Sequence, residues 1–188
     1  MDVLKVDYRS PEAAQQFCHS LKNTGFAVIN HHPIPMELVN RVYSQWERFF
    51  NSEEKHDFTF SKEDQSGYFP FRSENAKGVS LKDLKEFFHI YPRAKLPAYL
   101  EKDTRELYRL LHQLGSELLG WVQMASPPEV RAKFTMPLPE MITHSVETVH
   151  RIIHYPPLQG SEEVGAIRAA SPSTRAICWR WHRTATID

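Results

Sequence analysis

From Pro35 onward the run PMELVNRVYSQWERFF places Leu38, Val39, Val42, Trp46, Phe49 and Phe50 on one face of a helix. A stripe that wide and that rich in large side chains must be covered, so the chain has to build a packed layer against it. Composition supports this, with 41% hydrophobic and 12% aromatic residues in a chain of 188, enough for one domain with a core or for part of a larger one. Lysine plus arginine and aspartate plus glutamate number 23 each, so no net field gathers nucleic acid or an anionic membrane. Small molecules or proteins are the expected partners.

Two cysteines, Cys18 and Cys178, stand far apart and form no C-x-x-C pair, which fits a reducing, cytoplasmic setting. The start MDVLKVDYRS lacks a basic segment followed by an apolar run, and no apolar stretch approaches the roughly 20 residues that span a bilayer. A soluble, unexported protein is expected.

Val3 to Val6 reads as a short strand, and Ser10-Pro11-Glu12 supplies an N-cap, a first-turn proline and an acidic first turn for a helix over residues 11–23. Ala14, Phe17, Cys18 and Leu21 make its apolar stripe, which places Cys18 in the core, and Gly25 ends it. Phe26 to Ile29 reads as a buried strand and Pro35 opens the second helix. Residues 51–82 read as a long, partly ordered loop around the cluster Tyr68-Phe69-Pro70-Phe71. Lys85 to Tyr91 follows as strand. Leu107, Leu110, Leu111, Leu114, Leu118 and Leu119 fix the longest helix over residues 103–124, and Thr148 to Tyr155 reads as a strand ended by Pro156-Pro157.

Several of these pieces together resemble the isopenicillin N synthase-like branch of the iron(II)/2-oxoglutarate-dependent oxygenases. The residues that carry the resemblance are GFAVINHHPIP (25–35), FFNSEEKHDF (49–58), the pair Gly67-Tyr68, DLKEFF (83–88) and RIIHYPP (151–157), followed by VGAIRAA. The resemblance implies an α+β chain: the family's N-terminal helical and strand region over residues 1–147, and the first strands of an incomplete double-stranded β-helix, or jelly roll, over residues 148–170. It implies that intact relatives oxidise a small-molecule substrate using dioxygen, iron(II) and 2-oxoglutarate. Their iron sits in a His-x-Asp pair and a distant His, a facial triad that leaves positions open for co-substrate and dioxygen, and an Arg-x-Ser binds 2-oxoglutarate.

The His-x-Asp pair would follow VGAIRAA, but Ser171-Pro172-Ser173 stands there, and the chain contains no His-x-Asp. No catalytic residue, no metal ligand and no bound cofactor are therefore expected in these residues. Tyr155 matches the tyrosine that helps bind 2-oxoglutarate in relatives and is a vestigial co-substrate position. Ile153 replaces an asparagine common in the family. Tyr68 and Arg72 lie in the loop that borders the substrate entrance, where an arginine can pair with a carboxylate, and Arg151 joins them as a substrate-side residue. On a strand Arg151, Ile153 and Tyr155 share one face and His150, Ile152 and His154 the other.

Other chemistries find less support. His31-His32 coincide with the family's turn before the second helix; His150 and His154 near Glu147 lack the His-Glu-x-x-His order of zinc proteases. Asp83, Lys85 and Glu86 read as a salt-bridged or solvated pattern running from surface to rim. Two readings of the tail 171–188 stand. Ile177, Trp179 and Trp181 would share one face of a strand that patches an exposed sheet edge, or the tail is read from a shifted frame. The abrupt failure of the pattern after Ala170 favours the second.

The expected protein is thus a truncated or degenerate oxygenase relative, inactive as this chain. Two alternatives stay open: a non-enzymatic module, or half of a split oxygenase, that docks a protein partner at an exposed sheet edge; and an active oxidoreductase with unorthodox ligands such as His182 and Asp188.

Overall fold

The computed structural model describes residues 2–74, 81–143, 145–163, 165–166 and 168. The expectations for the tail, including its strand and the ligands His182 and Asp188, lie outside the described residues, as do most of residues 164–170 at the end of the expected jelly-roll start.

The described chain begins with β1 (Lys5–Asp7), α1 (Ala13–Thr24) and β2 (Val28–Asn30), in which the two strands pair parallel across the helix. Ser10 Oγ accepts the Glu12 N–H at 3.2 Å at the start of α1. Gly25 ends the helix in the left-handed region at φ 77°, its N–H bonded to Leu21 O, a conformation that costs a residue without Cβ nothing. The strand after it differs from the sequence expectation. It is short and outward-facing, with Phe26 67% and Val28 46% exposed, because β1 is its only strand partner among the described residues.

Helix α2 (Met36–Phe50) starts after Pro35 and buries all six residues of the stripe. It packs against α3 (Ala98–Ala125), which is longer at its N-terminal end than the leucine pattern indicated because Pro97 and Leu100 add a first turn. Trp46 Nε1 donates to Thr104 Oγ1 at 2.9 Å inside this contact, so the indole's one polar atom is met where water cannot reach. Two short helices, α4 (Pro128–Arg131) and α5 (Glu140–Thr143), occupy the proline-rich segment.

The region read as a loop contains more structure than its polar composition indicated. A 3-10 helix runs from Glu53 to Phe58, and β3 (Gly67–Phe69) pairs antiparallel with β4 (Glu86–Ile90), which pairs antiparallel with β5 (His150–His154). These strands come from distant parts of the chain, so local sequence carried little of the pairing. Gly67 has φ 121°, and a Cβ there would lie 2.7 Å from the Phe60 backbone, which makes glycine obligatory at the start of β3.

The sheet β3–β4–β5 has two unlike faces. Tyr68, Phe88 and Ile90 are buried toward the helices, where Trp46 lies 5.0 Å and Phe49 5.7 Å from the Phe88 ring in edge-on geometry. Phe69, Phe87, His89, Arg151 and Ile153 rise from the opposite face, as the register requires.

Candidate functional site

The helix-facing side of the sheet is organised by Glu86. It is 3% exposed, and its carboxylate accepts from Lys55 Nζ at 3.1 Å, from the Tyr68 hydroxyl, and from His154 Nδ1 at 2.7 Å. Burial pushes the Glu86 carboxyl up, but the bonds from His154, Tyr68 and Lys55 outweigh it and hold the group below the usual carboxylate range. An ionised carboxylate only accepts, so His154 carries its proton on Nδ1. Burial, and then the bond to Glu86, push the Tyr68 phenol up. The His154 ring stacks on Phe50 at 5.2 Å.

The opposite face carries a second network. Phe69 and Phe87 stack at 4.4 Å, and the Arg151 guanidinium lies 4.5 Å above the Phe87 ring, a cation–π contact. Arg151 also pairs with Glu74 at 3.1 Å, and Lys85 bridges Glu74 at 2.9 Å and Asp83 at 2.8 Å. Burial pushes the Glu74 carboxyl up, yet the bond from Lys85 and the Arg151 charge bring it below its ordinary value. His89 sits beside Arg151 in the register. Burial, reinforced by the Arg151 charge, pushes its imidazole down to about 4, and its Nε2 is a buried nitrogen with no partner among the described residues.

The residues singled out from the sequence divide between these two settings. Arg151 and Ile153 belong to the Phe87 side, and Tyr155 is half-buried just beyond the end of β5. Tyr68 instead faces the helices, 2% exposed, with its hydroxyl on Glu86. Arg72 is exposed at a turn with φ 61°, its guanidinium 5.5 Å above the Phe71 ring. Asp83 and Glu86, read as rim residues, are buried: Glu86 opens β4, the central strand of the sheet, and Asp83 just before it is held by Lys85. Lys85 is partly covered as well. Phe87, His89 and Glu74 were missed: the alternation K-F-H at 85, 87 and 89 was visible, but only the pairing with β5 shows which face it joins.

The histidine pairs do not converge. His31 Nδ1 lies 3.0 Å from Asp7 Oδ2 at a left-handed turn, while His154 is held by Glu86 and His150 tilts against Tyr108 at 6.2 Å. Cys18 is half-buried against the core. Among the described residues no three His, Cys, Asp or Glu side chains come together in a way that could hold a metal ion. No helix of the described residues is long and apolar enough to cross a membrane.

Residues 2–113 match the family described as non-haem dioxygenase in morphine synthesis, N-terminal. The chain belongs to this family. Solved structures extend the likeness in fold beyond the matched residues. A crystal structure from Shewanella oneidensis, described as that of an oxygenase, is 46% identical with a TM-score of 0.78, covering 90% of this chain and 60% of that one. A protein of the 2OG-Fe(II) oxygenase family from Caulobacter crescentus is 23% identical, TM-score 0.63, covering 87% and 59%. A full-length Neurospora crassa protein in complex with alpha-KG is 18% identical, TM-score 0.63, covering 88% and 59%, and like the Caulobacter protein it speaks to the fold alone. No curated protein matches. This non-haem dioxygenase region therefore spans about 60% of the length of these three structures.

Proposed function

We propose that these residues form the substrate-facing N-terminal part of an iron(II)/2-oxoglutarate-dependent oxygenase, and that this chain alone neither holds iron nor consumes 2-oxoglutarate. The observation that carries the reading is the β4–β5 register, which lines up Phe87, His89, Arg151 and Ile153 on the face turned away from the helices. That face, with Tyr155 beyond its end and Arg72 at its margin, is where the small molecule and the co-substrate of a complete relative would lie. Tyr155 is the co-substrate position, and Arg151 and Arg72 supply positive charge for an anionic group of the substrate. Tyr68 serves the same site from behind by fixing β3 to Glu86. The purified chain is incubated with iron(II), 2-oxoglutarate and dioxygen. No succinate above a metal-free control is expected; stoichiometric succinate release would overturn the reading.

A second reading, that the region works by docking a polypeptide which completes the fold, is favoured by the exposed apolar side chains Val3, Leu4, Phe26 and Val28 along β1 and β2. Native mass spectrometry separates the two: a strictly monomeric chain that unfolds cooperatively counts against docking.

A further inference from the structure

Among the described residues one polar atom on the Phe87 side of the sheet lacks a partner. His89 Nε2 is buried and makes no hydrogen bond among the described residues. Leaving such a group unmet costs about 1–3 kcal/mol, and unmet buried groups in native folds call for an explanation such as a bound water, an ion or a ligand.

The surroundings narrow the choice. His89 stands directly opposite Arg151 in the register, and its ring lies 4.8 Å from Phe69 and 5.1 Å from Phe87. Arg151 commits Nη1 and Nη2 to Glu74 at 3.1 and 3.5 Å, and a guanidinium carries five N–H donors, so donors remain. A cation is a poor fit beside that guanidinium. An acceptor oxygen is a good one, because neutral imidazole can place its single N–H on Nε2 and donate alongside Arg151. Phe69, half-buried and next to His89, offers an apolar ring edge beside the two donors.

We propose that His89 and Arg151 together grip the carboxylate of a small aromatic or heteroaromatic acid whose ring lies against Phe69. The proposal rests on the reading above for its choice of sheet face and names the substrate class that face takes. Arg151, with a third of its side chain exposed, shifts to admit the acid. Glu74 holds it in place until then.

The test uses the full chain labelled with nitrogen-15 histidine, titrated with benzoate at neutral pH, beside His89→Phe and Arg151→Met. Benzoate is expected to move the His89 Nε2 resonance saturably, and each substitution to weaken binding about tenfold or more, as the loss of a charge-assisted hydrogen bond entails. His89→Phe is also expected to raise the urea midpoint, since it removes an unmet buried nitrogen. Absence of a saturable shift, benzoate affinity unchanged in His89→Phe, or a resonance that reports only a bound water would each overturn the proposal. Should His89→Phe fail to fold, the resonance itself and the Arg151→Met arm decide. Succinate release is scored separately: it bears on the oxygenase reading, whereas loss of the benzoate response without it bears on this grip alone.

Discussion

His154 Nδ1 lies 2.7 Å from Glu86 Oε1, and this bond fastens the strand leading to Tyr155 onto the central strand of the sheet. The same carboxylate accepts from Lys55 and Tyr68, so one buried group ties α2's following turn, β3, β4 and β5 together. Glu86→Ala removes the anion and leaves Lys55, only 18% exposed, with the Phe50 carbonyl but no counter-charge. Breaking a buried pair from one side costs about 3–5 kcal/mol. Urea unfolding should show a loss of that order; a change within about 0.5 kcal/mol, as at ordinary surface sites, would contradict the role given to Glu86.

The bond between Trp46 and Thr104 offers a milder test of the helix contact. Thr104→Val keeps the volume and strands the indole N–H in a buried place. The expected loss is about 1–3 kcal/mol, read from the urea midpoint, with Trp46→Phe as the companion that removes the donor as well.

At Gly67 the prediction is steric. Gly67→Ala drives a Cβ to 2.7 Å from the Phe60 backbone and asks alanine to hold φ 121°. A loss of at least about 1–3 kcal/mol follows from the backbone strain alone. Gly25→Ala also has positive φ but meets nothing within 4 Å, so it should cost less.

Acid should destabilise the fold through two histidines. Burial holds His150, and burial with the Arg151 charge holds His89, down to about 4 against an ordinary value near 6.5. Below that ordinary value the unfolded chain takes up protons that the folded chain refuses. Their contribution is therefore complete above about pH 6.5 and is lost progressively as pH falls toward 4. The urea midpoint should fall across that window, and His89→Phe should flatten the fall. An unchanged slope in the variant would contradict the assignment.

What the sequence made legible follows the range of the interactions. The helix faces were readable because residues three and four apart supply their own evidence, and every member of the Leu38–Phe50 stripe is buried. The identity of the family was readable from ordered short motifs. The Glu86 cluster was not, because Lys55, Tyr68 and His154 meet it from 31, 18 and 68 residues away, and only strand register brings them together. The same holds for His89, which only the pairing of β4 with β5 sets beside Arg151. Phe26 and Val28 show the converse, apolar residues left exposed just before and within β2.

We propose that this region shapes a substrate face and does not by itself form the iron centre. Metal content after anaerobic reconstitution with iron(II) and 2-oxoglutarate tests it most directly. Iron is expected to remain far below one per chain after gel filtration. One tightly held iron per chain would contradict it.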